Sequence, residues 1–196
     1  MAATTDPSDQ ILIKKVLEGD IQSFEVLILR YQGVVHRFLL HYLGNAADAE
    51  ELTQETFISI YSKLSQHNSA QSFFGRTMTI ARDLAISHHR RHPATPLDSS
   101  VLAAAVKDVS PALENDLIMK EAGNEVHQAL QALGETSREI LIMHYILDLP
   151  LEKVSELLNI PEQTAKSRLF KARNEIKALL INNCNKFRSS TGHKSL

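Results

Sequence analysis

The stretch "LEKVSELLNIPEQTAKSRLFKAR", Leu151 to Arg173, decides the fold of the C-terminal part of the chain. Apolar residues at positions 154, 157 and 158 give its first half one buried face, and Asn159 tolerates the positive φ of a tight turn. Pro161 is expected at the first position of the next helix. That helix carries an apolar stripe at spacings of three and four residues: Ala165, Leu169, Ala172, Ile176 and Leu179. The pattern predicts a helix-turn-helix.

The second helix of this pair is polar and basic on the faces that the apolar stripe leaves free. A helix of this kind fits the major groove of DNA, and its N-terminal residues reach base edges. Gln163 is therefore expected to contact adenine and Arg168 guanine, while the other basic residues contact phosphates. The alternative is a helical hairpin whose lysines face only solvent. The candidate DNA contacts are Gln163, Thr164, Lys166, Ser167, Arg168, Lys171 and Arg173.

Charge alternates along the 196 residues, although the formal net charge is only -2. Residues 71–92 carry 4 basic and 1 acidic side chains, and residues 151–196 carry 9 and 4. The segments 1–70 and 93–150 are acidic, each with 9 acidic residues against 5 and 3 basic ones. Because DNA binding depends on local positive charge, two separate anion-facing surfaces are predicted. The alternative is chance clustering of charge.

The rest of the chain is predicted to be helical, which makes the fold all-α. A first helix ends at Gly19, a second runs from the cap Asp20 to Gly44, and a third follows the cap Asn45. Residues 65–72 are predicted as a loop, residues 73–91 as a helix, and residues 93–110 as a flexible linker because Pro93 and Pro96 break the pattern. Beyond Ser110–Pro111, helices are expected to about residue 133 and over residues 136–147, and residues 184–196 are predicted to be a disordered tail.

The C-terminal segment resembles region four of bacterial sigma factors, especially the extracytoplasmic-function (ECF) group. The residues that match are Arg138–Glu139, Thr164, Ser167–Arg168–Leu169 and Ala172–Arg173. Gln163 stands where that family often has glycine. The resemblance implies that residues 111–183 form a region-four domain whose helix-turn-helix contacts the minus-thirty-five promoter element.

The N-terminal half resembles region two of the same family. "GNAADAEELTQETFISIYSKL", Gly44 to Leu64, is similar to the segment that docks on the clamp helices of the RNA polymerase β′ subunit. The resemblance implies that the carboxylates and Gln54 pair with a partner helix while Leu52 and Phe57 anchor it by burial. The alternative is a solvated acidic face above a core stripe that contains Leu52 and Phe57. The implied polymerase contacts are Asp48, Glu51, Leu52, Gln54, Glu55 and Phe57.

"FFGRTMTIARDLAISHHRR", Phe73 to Arg91, resembles the end of region two, which opens the promoter and holds the minus-ten element. Arg76–Thr77 replaces a Trp-Leu pair of that family, and Asp83 and Ser87 replace an Asn and an Asp. Separated strands expose bases that need stacking surfaces or a pocket, and here the loop before the helix and its first residues must supply them. The implied contacts are Asn68, Gln71, Phe74, Arg76, Arg82, Arg90 and Arg91.

The resemblance implies an ECF-type sigma factor built from two small helical domains, a region-two domain over residues 1–92 and the region-four domain. Its implied partners are core RNA polymerase, through the β′ clamp helices and the β flap, promoter DNA, and an anti-sigma factor. The alternatives are a stand-alone helix-turn-helix transcriptional regulator and an enzyme with an appended DNA-binding domain. Binding to core polymerase separates the first interpretation from the other two.

The sequence offers little support for an enzyme or a cofactor site. It contains no phosphate-binding loop and no G-x-S-x-G motif, so no catalytic role, cofactor or small-molecule substrate is predicted. His88 and His89 project about 100° apart on a helix, which makes a poor chelate, and no metal site is predicted. Cys184 is the only cysteine, which excludes an intramolecular disulfide. With no signal peptide or membrane span recognised, a cytoplasmic protein is expected.

Overall fold

The computed structural model describes residues 7–66, 72–92 and 125–191, and in these ranges the chain is helical with no strand. A first helical group contains α1 (Asp9–Leu17), α2 (Ile21–Leu43), α3 (Ala46–Ser62) and α4 (Phe73–Arg91). A second helical group contains α5 (residues 125–132), α6 (Glu135–Leu141), α7 (Leu151–Leu157) and α8 (Glu162–Thr191). The all-α prediction is confirmed.

Local capping fixes the ends of the helices in the first helical group. The Asp20 side chain accepts from the amide of Ser23, and the Asn45 side chain accepts from the amide of Ala47 at 2.9 Å. Gly44 ends α2 with φ 75°, a left-handed conformation that glycine adopts without steric cost. The Ser72 hydroxyl accepts from the amide of Gly75 at the start of α4. The caps predicted at Asp20 and Asn45 and the α2 end at Gly44 are confirmed.

The first helical group packs around the long helix α2. Helices α1, α3 and α4 all contact α2, and α3 also contacts α4. The side chains that meet at the centre are almost completely buried: Leu27, Val35, Phe38, Leu39, Ile60 and Met78. Burial of six large apolar side chains contributes about 1.5 to 3 kcal/mol each before the entropy of ordering is subtracted. This core fixes the direction in which the exposed faces of α3 and α4 point.

The second helical group contains the helix-turn-helix. Val154, Leu157 and Leu158 of the first helix are buried, and Asn159 has φ 51°, as the sequence predicted for the corner. The carbonyl of Pro161 accepts the first helical hydrogen bond of α8, from Ala165 at 3.0 Å. Pro161 therefore lies one residue before the helix, at its N-cap, rather than at its first position.

Two other regions differ from the sequence prediction. Residues Leu64–Gln66 form a 3₁₀ turn that spans the end of the predicted third helix and the start of the predicted loop. Helix α6 continues through a π turn at Ile142–Ile146, which ends beside the predicted boundary at residue 147. Helix α8 extends to Thr191, so it replaces most of the predicted disordered tail, because no glycine or proline occurs between residues 162 and 191 to end it. The linker 93–110 and the helix start at Ser110–Pro111 lie outside the described residues.

The two helical groups contact each other directly. Helix α2 contacts the π turn after α6, and α4 contacts α7. The Gln131 amide donates to the backbone carbonyls of His41 and Tyr42, at 3.2 and 3.0 Å, which joins α5 to the end of α2. The apolar core is continuous across this contact. The position of α4 relative to the second helical group is therefore defined in this structure.

Candidate nucleic-acid and polymerase interface

The face of α8 that the apolar stripe leaves free is open to solvent. Gln163, Lys166, Ser167, Lys171 and Arg173 are exposed, while Thr164 and Arg168 are half-buried. Lys166 pairs with Glu162 at 2.7 Å and Lys171 with Glu175 at 3.6 Å, both along the helix. Exposed pairs of this kind contribute under about 1 kcal/mol, so a phosphate can displace them at little cost. The N-terminal half of α8 thus presents amide, hydroxyl and cationic groups together.

Phe170 belongs to this open face, and the sequence analysis did not include it among the candidate contacts. Its side chain is 68% exposed, and the spacing 163, 167, 170 places it on the same side of α8 as Gln163 and Ser167. An apolar ring at that place offers contact to the methyl group of thymine. The sequence signal that could have identified Phe170 is its place directly after Leu169, beside the apolar stripe but outside its spacing.

Two arginines of α4 are held by acids of α6. Arg82 Nε donates to Glu139 Oε1 at 2.9 Å, and Arg90 donates from Nε and Nη2 to the two carboxylate oxygens of Glu135, each at 3.0 Å. The hydrogen bond from Arg90 lowers the pKa of the Glu135 carboxyl. Burial raises the pKa of the Glu139 carboxyl, and the nearby charges of Arg82 and Arg168 oppose that rise. In this arrangement two of the candidate minus-ten arginines, Arg82 and Arg90, face carboxylates.

The other candidate minus-ten residues occupy different surroundings. Phe74 is half-buried with its ring 5.8 Å from that of Tyr31, and Arg76 Nη2 donates to the carbonyl of Lys63 at 3.0 Å. Arg91 is exposed, and within the described ranges its side chain bonds only locally, to the carbonyl of Ser87 at 3.2 Å. Asn68 and Gln71 lie outside the described residues. The basic end of α4 is thus accessible at Arg91 and engaged at Arg82 and Arg90.

The candidate polymerase contacts divide into exposed and buried residues on α3. Glu51, Gln54 and Glu55 are exposed, and Asp48 is half-buried with its carboxylate 3.8 Å from the His88 ring. Leu52 and Phe57 are 3% and 5% exposed, within the core of the first helical group. The placement of Leu52 and Phe57 favours the alternative that both belong to the core stripe. The acidic face above them remains free for a partner.

An apolar groove lies beside these acids, between α2 and α3. Its walls include three strongly exposed side chains, Ile21 at 61%, Ile58 at 68% and Tyr61 at 48%, with Phe24 and Phe57 below them. Gln54 also borders it, so the groove adjoins the exposed polar face of α3. A contiguous exposed apolar surface rimmed by polar residues is characteristic of a protein interaction site.

Comparison with known proteins covers both helical groups. Residues 27–94 match the family described as Sigma-70 region 2, and residues 123–176 match Sigma-70, region 4. The RNA polymerase sigma-H factor of Pseudomonas aeruginosa is 30% identical over 182 residues, which cover 88% of this chain and 93% of that protein. The chain belongs to the ECF family of sigma factors. Its function is to direct RNA polymerase in transcription initiation.

Further relatives are consistent with this assignment. The ECF RNA polymerase sigma-E factor of Escherichia coli is 27% identical over 86% of this sigma factor and 92% of its own length. The fold is similar to CnrH solved with the cytosolic domain of CnrY, with a TM-score of 0.67 and 19% identity over 90% and 99% of the two chains. RpoE of Bartonella quintana, solved with the anti-sigma factor NepR, has a TM-score of 0.59 and 20% identity, over 81% of this chain and 97% of its own. At these identities the structures show the shared fold.

Arg138 is the arginine of the Arg138–Glu139 pair that resembles the family pattern. The sequence did not indicate that this arginine is buried at the contact between the two helical groups. It is 2% exposed, and its guanidinium donates to the carbonyls of Leu130, Gln131 and Leu133 at 2.7–3.0 Å. It also lies over the Tyr42 ring, 5.2 Å from the centroid. Arg138 therefore satisfies the C-terminal carbonyls of α5 and joins the two helical groups.

The histidines near the end of α4 do not form one cluster. The rings of His88 and His92 lie 4.9 Å apart, whereas His89 turns towards Tyr42 and Arg138. Within the described ranges, no group of three or more histidine, cysteine or acidic side chains is placed to hold a metal ion. None of the helices in those ranges combines the length and hydropathy needed to cross a bilayer.

Proposed function

We propose that this sigma factor divides its work between its two helical groups. The domain over residues 1–92 docks on core polymerase and holds the minus-ten element, and the domain over residues 111–183 contacts the minus-thirty-five element and the β flap. The observation that carries this proposal is the open face of α8, where Gln163, Ser167 and Arg173 are exposed on a helix anchored by its apolar stripe. This is the geometry with which a helix-turn-helix enters a major groove.

Polymerase docking is assigned to the exposed face of α3. Glu51, Glu55 and Gln54 supply charge and hydrogen bonds, and the neighbouring apolar groove supplies buried area. A partner helix with basic residues beside an apolar stripe, such as a clamp helix of β′, complements both features. Leu52 supports this face from the core beneath it, and Phe57 forms part of the floor of the groove rather than an exposed anchor.

Minus-ten binding is assigned to the basic end of α4. Arg91 is free to meet the phosphate backbone, whereas Arg82 and Arg90 must exchange Glu139 and Glu135 for phosphates. Phe74, together with the loop that contains Asn68 and Gln71, is assigned to bases of the opened strand. Gln163 and Arg168 are assigned to base edges of the minus-thirty-five element, and Lys166 and Lys171 to its phosphates.

An anti-sigma factor is proposed as the regulatory partner. Of the proteins of similar fold, RpoE was solved with the anti-sigma factor NepR, and CnrH was solved with the cytosolic domain of CnrY. The apolar groove between α2 and α3 offers a surface for a partner helix when polymerase is absent. We propose that the chain acts in the cytoplasm and performs no chemistry itself, because sigma factors are initiation factors that act through the polymerase.

Run-off transcription tests this proposal. Purified core polymerase, the full chain and fragmented genomic DNA from the source organism should give discrete transcripts that are absent without the chain. Their upstream sequences define the promoter. Failure to bind core polymerase in the same mixture, with no transcripts, would overturn the docking assignment and favour the stand-alone regulator. Binding without transcripts would overturn the assignment of α4 to promoter opening.

A further inference from the structure

A buried histidine lies at the contact between the two helical groups. His127 of α5 is 2% exposed and packs on the end of α2, where a Cβ added to Gly44 would stand 2.4 Å from its Nε2 atom. Among the described residues, neither ring nitrogen has a hydrogen-bond partner. An unpaired buried polar group is rare in a folded protein and marks a contact that is not optimised for stability alone. Separating the two groups would expose this ring to water.

The charged groups around His127 are basic. It faces His41 of α2 and Arg138 of α6. The positive charge of Arg37, also on α2, acts in turn on His41. His89 of α4 approaches the other side of Arg138, with its Nε2 atom 3.2 Å from Nη1.

The two carboxylates of this interface are already bound by arginines. Glu135 holds Arg90 and Glu139 holds Arg82, so the negative charge of each carboxylate is already paired with a guanidinium rather than with the ring at position 127. An added positive charge on His127 would be buried beside cations, which is strongly unfavourable in a poorly solvated site. The same charge is readily solvated when the groups separate.

We propose that the contact between the two helical groups is a pH-sensitive latch, in which protonation of His127 separates them and releases Arg82 and Arg90. The contact holds at neutral pH and opens as the pH falls. The opening itself follows from the geometry around His127. The consequence for promoter DNA rests on the roles proposed above for Arg82 and Arg90.

The direction of the pH effect follows from the lowered pKa values at the contact. Burial, with His41 and Arg138 acting in the same direction, lowers the pKa of His127 to about 4, from 6.5 for an ordinary histidine. Burial also lowers the pKa values of His41 and His89. The closed form therefore binds fewer protons than the open form. Its stabilisation is complete above about pH 6.5 and is lost as the pH falls towards 4.

The size of the effect can be stated for His127 alone. If its pKa returns to the ordinary value on opening, the ratio of closed to open chains falls about 25-fold between pH 7.5 and 5.0. His41 and His89 act in the same direction and steepen the transition. The exposed pairs elsewhere, such as Lys166 with Glu162, lie within one helix and do not bridge the two groups.

The latch is tested on the full chain without DNA or polymerase, so its failure is distinguishable from failure of the proposed function. Dyes placed at Glu50→Cys and Glu156→Cys, with Cys184→Ser, report the distance between the groups by energy transfer. Both labelled positions are exposed. The His127 ring is followed by NMR over the same pH range, and far-UV circular dichroism reports helix content. The expected result is a longer distance that develops as His127 becomes protonated, with helix content unchanged.

Variants separate His127 from the other histidines. His127→Phe keeps an aromatic ring that cannot be protonated, so the pH-dependent change in distance should be lost or strongly reduced. His92→Gln, at the exposed position that follows α4, should retain it. Full protonation of His127 with no change in distance would overturn the proposal even if His127→Phe fails to fold. Loss of helix before His127 titrates, or titration of His127 near 6.5, would overturn it as well.

Discussion

Replacing Arg138 with alanine should destabilise the second helical group by about 3 to 5 kcal/mol. The guanidinium donates to the carbonyls of Leu130, Gln131 and Leu133 within 3.0 Å, and all three lie at the C-terminal end of α5. The Leu130 carbonyl also accepts from the backbone amide of Leu133 at 3.2 Å. Truncation therefore removes the donor that Arg138 supplies to the other two carbonyls, those of Gln131 and Leu133. Each unsatisfied buried acceptor costs about 1 to 3 kcal/mol, so two cost about 2 to 6 kcal/mol in total, and partial entry of water keeps the loss below the upper limit.

Urea denaturation of the full chain at pH 7.5, followed by far-UV circular dichroism, measures this loss. Arg91→Ala is the matched control, because Arg91 is exposed and its bond within the described part of the chain goes to Ser87 of its own helix. Its change should stay within about 0.5 kcal/mol. Arg138→Lys should fall between the two, because an ammonium keeps the charge but lacks the planar fork of five donors. An Arg138→Ala chain within about 0.5 kcal/mol of the unsubstituted protein would refute the reasoning.

Three further predictions concern a cap, the polymerase face and the DNA face. Asn45→Ala should lower the free energy of unfolding by about 1 kcal/mol, measured by the same denaturation, because the amides at the start of α3 lose their acceptor. The double reversal Glu51→Lys and Glu55→Lys should weaken binding to core polymerase in an anisotropy titration, whereas Glu18→Lys, an equally exposed reversal at the end of α1, should not. Gln163→Ala should change sequence preference in selection from randomised promoters more than overall affinity, and an unchanged preference would remove Gln163 from the base contacts.

Features set by neighbours in the sequence were predictable. Asn45 and Asp20 cap helices through amides two or three residues away, and the turn at Asn159 needs only its own positive φ. The spacing of apolar residues likewise identified the stripe on α8, because one helix face repeats every three or four residues. The faces proposed for DNA could therefore be located before any tertiary contact was known.

Features set by distant residues were not predictable in this way. Arg138 and His127 owe their positions to Tyr42 and Gly44, which are more than 80 residues away in the sequence. Helical periodicity also could not decide between partner contact and core for Leu52, because both explanations place it on the apolar side of α3. Only the packing of α3 against α2 and α4 distinguishes them.

The ion pairs of Arg82 with Glu139 and of Arg90 with Glu135 change how the basic segment of α4 can bind DNA. Its net positive charge pointed to phosphates, yet in the folded chain carboxylates of α6 satisfy these two guanidinium groups. A carboxylate and a phosphate both accept paired hydrogen bonds from arginine, so DNA competes with Glu135 and Glu139 for the same donors. Arg82 is the more firmly held of the two, because Glu139 is only 4% exposed, while Arg90 is 69% exposed. Exchange at Arg90 can therefore precede separation of the helical groups, whereas exchange at Arg82 requires it.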